Sequence, residues 1–237
     1  MPARPGDVMP VITDVTVVVP AHDEGDLLPA CLEALTVAAA AVALPVEVIV
    51  VLDSCRDSSA SVVPPRFRTL RVEERCVGAA RRAGFAAASA GASPTTWFAT
   101  TDADSTVPPG WLVTHVAAAR DGADAYVGTI TPDGFDGWPP GTGARFARNY
   151  DARTGHRHIH GANLGVRADA YAAVGGFRAL SAHEDVDLVA RLENAGRPIV
   201  WGAHAPVRTS TRRTGRAAEG FAAYLRGLAE RTPEETG

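Results

Sequence analysis

Four short β-prone runs interleaved with helical stretches constrain the fold of this chain more than any other feature. Val15–Val19 stops at Pro20 and is followed by helical composition from Asp26 to Ala41; Val46–Leu52 repeats the strand pattern. Asp57 or Ser58 can cap a short helix through Val63. Phe67–Val72 then reads as a third strand, Gly78–Ala90 as a helix and Thr96–Thr100 as a fourth strand. Strands that alternate with helices in this way form an α/β unit, a mostly parallel, Rossmann-like sheet with helices on both faces, wound in the right-handed sense.

Beyond Pro108 the pattern loosens. A helix is expected over Trp111–Ala119, a strand over Ala125–Ile130, and a Gly/Pro/Asp-rich loop over Thr131–Gly143 that reads as a mobile rim. A short helix over Arg145–Tyr150, a strand over Gly161–Val166, a helical turn over Ala168–Val174 and a firm helix over Glu184–Ala195 follow. Ala217–Glu230 reads as a closing helix. At 237 residues the chain suits one domain, with a nucleotide-fold-like half near 15–105, a second half near 106–216 and a C-terminal helix and tail over 217–237.

Composition removes several function classes. The formal charge of -4 gives no basis for non-specific nucleic-acid binding. All 23 basic residues are arginine, so a Walker-type phosphate loop and Schiff-base chemistry are excluded, and a diphosphate would have to be held by arginine, backbone amides or metal. Three cysteines without metal-ligand spacing (Cys31, Cys55, Cys76) fit a reducing cytoplasm. Met1–Pro10 does not read as a signal peptide but as a frayed tail. The apolar stretch Leu35–Val51 is broken by Pro45 and Glu47, so no membrane span is expected.

The chemistry concentrates at strand ends. Asp102-Ala103-Asp104 follows the fourth strand, where two carboxylates can turn toward one divalent cation, although a turn or cap is the plainer use of such acids. Pro20-Ala21-His22-Asp23-Glu24 follows the first strand, beside a helix N-terminus able to receive a nucleotide. Asp23 can equally be a cap, and His22 a stacking ring or a turn histidine. Asp53 ends the second strand and can accept from a base N–H. Small residues around Gly78 and Gly84 permit close backbone approach, and Arg81 beside them can reach a phosphate or lie on the surface. Glu184 and Asp185 are either first-turn helix acids or catalytic carboxylates. His156, His158 and His160 alternate on one face and read as pocket-lining or solvent-facing rather than as a zinc site. Arg208, Arg212, Arg213 and Arg216 form either a solvated basic face or a dock for an anionic ligand.

Taken in order, these pieces resemble the family 2 glycosyltransferases, which have the GT-A fold. Pro20-Ala21-His22-Asp23-Glu24 is similar to the family's Pro-Ala-Tyr-Asn-Glu, and Leu52-Asp53-Ser54-Cys55-Arg56-Asp57 to its Asp-Asp-Gly-Ser-x-Asp. Asp102-Ala103-Asp104 matches its metal motif, and Gly161-Ala162-Asn163, Gly175-Gly176-Phe177 and Glu184-Asp185 its acceptor-side run. His22 in place of tyrosine and Leu52 in place of the first acid leave the base open. The resemblance implies a nucleotide-diphospho-sugar donor touching Pro20, Ala21, His22, Glu24, Asp53, Arg81, Asp102 and Ala103. It implies Mn²⁺ or Mg²⁺ on Asp104 and Asp102 with His204 as third ligand, and a small-molecule acceptor near Gly161, Asn163 and His183. Asp185, with Glu184, would supply the base of an inverting transfer. A retaining transferase, a sugar-1-phosphate nucleotidyltransferase and a nucleotide-sugar-binding pseudoenzyme are the rival readings.

Overall fold

The computed structural model describes residues 11–216 and 219–230; the expected N-terminal tail and the first two residues of the expected closing helix lie outside them. The first half runs β1 (Asp14–Ala21), α1 (Leu28–Ala41), β2 (Val46–Asp53), β3 (Arg68–Val72), α2 (Val77–Ser89), β4 (Thr96–Thr100) and the two-residue β5 (Ser105–Thr106). The remainder runs α3 (Trp111–Arg120), β6 (Ala125–Pro132), α4 (Thr142–Asn149), β7 (Leu164–Arg167), α5 (Ala168–Ala173), α6 (Glu184–Asn194), β8 (Ile199–Thr209) and α7 (Phe221–Glu230).

Among the described residues the strands form one sheet in the order β3-β2-β1-β4-β7-β6-β8-β5. β1 to β4 pair in parallel, as the alternation of strand and helix requires. β7 runs against both β4 and β6, whereas β8 is parallel to β6 and β5 antiparallel to β8. The period of two explains the continuous apolar runs. Val15, Val17 and Val19 pack under α1 and α3 with Leu32 and Trp111, while Val18 faces the opposite layer with Phe85 of α2 and Leu188 of α6. Close packing of α2 depends on Gly84, where a Cβ would stand 2.4 Å from Val18 Cγ1.

Several local expectations change. Asp23 does not cap α1: it sits at φ 51° and its carboxylate accepts the Arg56 N–H at 2.7 Å. The helix starts only at Leu28, with Pro29 in a first-turn place where no amide partner is needed. Asp57 does cap the short 3₁₀ turn Ser58–Ala60. Gly161–Asn163, expected as strand, is a 3₁₀ turn leading into β7. β8 was not expected, because Gly202, His204 and Pro206 interrupt its pattern. The structure absorbs them in a bulge, where pairing shifts from Gly128↔Gly202 to Ile130↔Val207. The rim loop is pinned by buried Trp138, whose Nε1–H donates to the Thr211 carbonyl at 2.6 Å.

Candidate active site

The carboxyl ends of β1, β2 and β4 open into a cleft of about 980 Å³, closed on its far side by residues 209–216 and 219–222 and the start of α6. Ligands of open α/β sheets bind at such strand ends. The cleft brings together Pro20, Ala21, His22, Glu24, Asp53, Arg81, Asp102, Ala103, Asp104, Gly161, His183, Glu184 and Asp185 from six separate stretches of chain.

The β1 and β2 loops hold each other in place. His22 donates through Nδ1 to the Asp53 carbonyl at 2.6 Å, the Glu24 N–H donates to Ser59 Oγ at 2.8 Å, and the Gly25 N–H donates to Asp57 at 2.8 Å. Asp53 is 4% exposed and organises the next loop: its carboxylate accepts the N–H groups of Glu74, Arg75 and Cys76 at 2.8 to 2.9 Å. Burial opposes its ionisation, but those amides outweigh burial and hold the carboxyl below its ordinary value.

Arg81, buried on α2, bridges Asp102 and Glu184 and donates to Thr100 Oγ1 at 3.3 Å. Gly161 makes room for it, since a Cβ there would stand 2.4 Å from the guanidinium. The Gly161 N–H also donates to Asp185 Oδ2 at 2.7 Å. Glu184 is therefore committed to Arg81, whereas Asp185 faces the cleft with one oxygen oriented by a peptide and the other by the Val186 N–H at 2.8 Å. His183 precedes this helix at φ 59° and pairs with Glu219 at 3.0 Å.

Asp102 and Asp104 form an electron-rich floor. Burial, reinforced by Asp102, pushes Asp104 up to about 7, with Arg212 acting in the opposite sense. Asp102 is also raised, by burial first, with Arg81 opposing and Asp185 adding to it. Paired carboxylates that repel each other at the floor of a cleft are the donor set of a hard divalent cation, so the residues present fit Mn²⁺ or Mg²⁺. Arg212 supplies the facing charge, binding both oxygens of Glu24 at 2.5 and 2.6 Å and Asp104 at 3.0 Å. It is a site residue that the sequence signalled only as part of an arginine cluster.

Two expected site residues lie elsewhere. His204 sits exposed on β8 and does not line the cleft, because the buried side of this part of the strand is taken by Ala205, Val207 and Thr209. It is not placed to be a third metal ligand; Ser210 and Arg212 enter the cleft from the same segment instead. Asn163 is fully buried and internal: its Oδ1 accepts from Trp111 Nε1 at 2.8 Å and from His115 Nε2 at 3.2 Å, and its Nδ2 donates to the carbonyls of Thr129 and Ala205. With every polar atom engaged it ties α3, β6 and β8 together rather than meeting an acceptor.

The histidine ladder divides. His156 is buried and bonds the Gly202 carbonyl, whereas His158 and His160 line the cleft beside Tyr150. Tyr150 OH accepts from the Ile130 N–H at 2.8 Å and shares a hydrogen bond with His160 Nε2 at 3.0 Å; His158 stacks on the Tyr150 ring at 4.3 Å. Phe221 and Tyr224 of α7 complete this wall, which carries no formal charge. Sequence order gave no sign that these aromatics converge. Among the described residues, Asp23, Cys55 and Asp57 also approach within 4.8 Å of one another, but both acids are engaged by loop amides.

Comparison of folds finds S. aureus TarS 1-349 in complex with UDP-GlcNAc, at a TM-score of 0.65 and 13% identity, covering 94% of this chain and 69% of that one. A mannosyltransferase, PcManGT from Pyrobaculum calidifontis in complex with GDP-Man and Mn²⁺, aligns at a TM-score of 0.62 and 19% identity, covering 85% of this chain and 58% of its own. The chain thus spans about three fifths to two thirds of the length of these structures. No curated protein matches it in sequence. The family model described as glycosyl transferase family 2 matches residues 16–175, from the first residues of β1 through the 3₁₀ turn and β7 that flank the cleft. That span exceeds half the chain and contains the paired aspartates of the cleft floor, and the chain belongs to glycosyl transferase family 2.

Proposed function

We propose that this chain moves a sugar from a nucleotide-diphospho-sugar to an acceptor hydroxyl with inversion at the transferred carbon. The observation that carries this reading is the meeting, in one cleft, of the Asp102/Asp104 floor with Asp185, a carboxylate that pairs with no arginine among the described residues. Asp53 and the β1 loop would hold the nucleoside end, and Arg81 and Arg212 are the cations nearest the floor. A divalent ion on Asp104 and Asp102 would neutralise the charge developing on the departing diphosphate. Asp185 takes the proton of the acceptor hydroxyl as its oxygen forms the new bond to the sugar carbon; the bond to the diphosphate breaks and the diphosphate leaves with the electron pair. Glu184, locked to Arg81, positions this pair rather than accepting the proton. The nucleotide sugars bound by TarS and by the mannosyltransferase, and the Mn²⁺ of the latter, support the donor class and the metal.

The uncharged wall of Tyr150, His158, His160 and Phe221 suits a small neutral acceptor with a ring face. Among the described residues no helix is long and apolar enough to cross a membrane, and the three cysteines are free, which supports a cytoplasmic setting. The test is a thermal shift with UDP-, GDP-, TDP- and ADP-sugars, with and without Mn²⁺. A donor at about 100 times its Kd should stabilise the fold by about 2.7 kcal/mol, which is roughly 5–10 °C for a chain of this size. The shift should require Mn²⁺ and vanish in Asp104→Ala. Absence of any shift with all four donors would refute the reading.

A further inference from the structure

The Arg212 guanidinium lies between acids contributed by two different loops. It binds Glu24 through both of that residue's oxygens, and its Nη2 is shared with Asp104 Oδ2 at 3.0 Å. Glu24 and Asp104 are 7% and 18% exposed at the side chain, so water does little to screen this contact. The second oxygen of Asp104 faces Ser105 Oγ at 3.3 Å. Both oxygens of the carboxylate best placed to hold a divalent ion are thus engaged within the protein.

The segment carrying Arg212 is held at both margins of the cleft. Thr211 donates through N–H and Oγ1 to Asp133 at 2.9 and 2.8 Å on the rim, and Arg216 donates to the Asp23 carbonyl at 2.6 Å on the β1 loop. A divalent ion on Asp104 would compete with the guanidinium for Oδ2, and two cations so close repel strongly where dielectric screening is weak. We propose that Arg212 is an internal counter-cation of the donor site. It neutralises Asp104 and Glu24 while the site is empty of donor, and a divalent ion must displace it from Asp104. Ion binding and the position of residues 210–216 are therefore linked, and the released guanidinium, still tethered at the cleft, becomes available to an incoming diphosphate. This rests on the proposed metal site at Asp104.

The experiment is Mn²⁺ binding without nucleotide, followed by electron paramagnetic resonance of the free ion, for the wild type, Arg212→Gln, Arg213→Gln and Asp104→Asn. Arg212→Gln should bind Mn²⁺ about tenfold more tightly, equivalent to about 1.4 kcal/mol, and should bind UDP or GDP more weakly once Mn²⁺ is present. Arg213→Gln removes the same charge from the same segment, but its guanidinium lies 5.7 Å over the Trp138 ring; its Mn²⁺ affinity should stay within about twofold of wild type. Unchanged or weaker Mn²⁺ binding in Arg212→Gln, or equal tightening in both arginine variants, overturns the inference. If Asp104→Asn still abolishes Mn²⁺ binding, the metal site itself survives that result. Failure of the wild type to bind Mn²⁺ removes both the metal reading and the inference. Hydrogen exchange on the wild type needs no variant: protection of residues 210–216 should change when Mn²⁺ is added, and identical exchange overturns the linkage.

Discussion

Glu184 and Asp185 are adjacent in the chain but have opposite surroundings: one is buried against Arg81, while the other is open to the cleft and steered by the Gly161 peptide. Asp185→Asn keeps the shape and an acceptor for that peptide but cannot take a proton. Turnover should fall by about 10²–10⁴-fold with little change in donor Kd, as measured by kcat beside donor titration. His115 gives a pH prediction. Burial lowers it to about 4, with the Asn163 bond acting the other way, so the folded protein holds it neutral where the unfolded chain, near 6.5, takes up a proton. Its stabilising contribution is complete above the unfolded value and is lost as pH falls toward 4; Asp104, raised to about 7, acts in the opposite direction. The share lost through His115 between pH 7.5 and 5.5 should be about 1.4 kcal/mol, read by urea unfolding as the difference in pH dependence between the wild type and His115→Gln. His160, lowered to about 3 by burial first and then by its neighbouring histidines, adds in the same sense. Residue identities at the strand ends were legible because acids there have few plain uses in combination. The direction of Asn163 and His204 was not, since it depends on which strand face each meets, and β8 had not been anticipated.

At the scale of elements, β1, β2 and β4 could be read from sequence because burial on both faces demands unbroken apolar, β-branched runs. β8 obeys another logic. Its pairing with β6 joins residues some seventy positions apart, and its bulge accommodates Pro206 where a regular strand would not. The junction of α2 with the sheet is tight: a Cβ at residue 84 would meet Val18 at 2.4 Å and Val51 at 2.9 Å. Gly84→Ala should therefore cost about 1–3 kcal/mol through overpacking. Chemical denaturation would reveal this, and a neutral result would mean that α2 shifts freely. Because α2 carries Arg81, such a shift would also disturb the cleft.

Across the whole molecule, the order of motifs along the chain foretold which stretches converge, but not the wall that completes the site. α4 and α7 close over the cleft, with Phe146 against Phe221 edge-on at 5.9 Å and Arg145 Nε donating to the Leu228 carbonyl at 2.8 Å. This union of distant aromatics leaves no periodic trace in sequence. If the wall receives the acceptor, Phe221→Ala should raise acceptor KM severalfold while leaving the donor-induced thermal shift intact; a loss of that shift would place the residue on the donor side instead. Gly161 joins the two sides through a single peptide, since its amide orients Asp185 while its bare α-carbon borders the guanidinium that holds Asp102 and Glu184. In the proposed transfer, the nucleophile's side and the leaving group's side would consequently share one mechanical datum, so any displacement there would misalign both at once, and neither could be retuned alone.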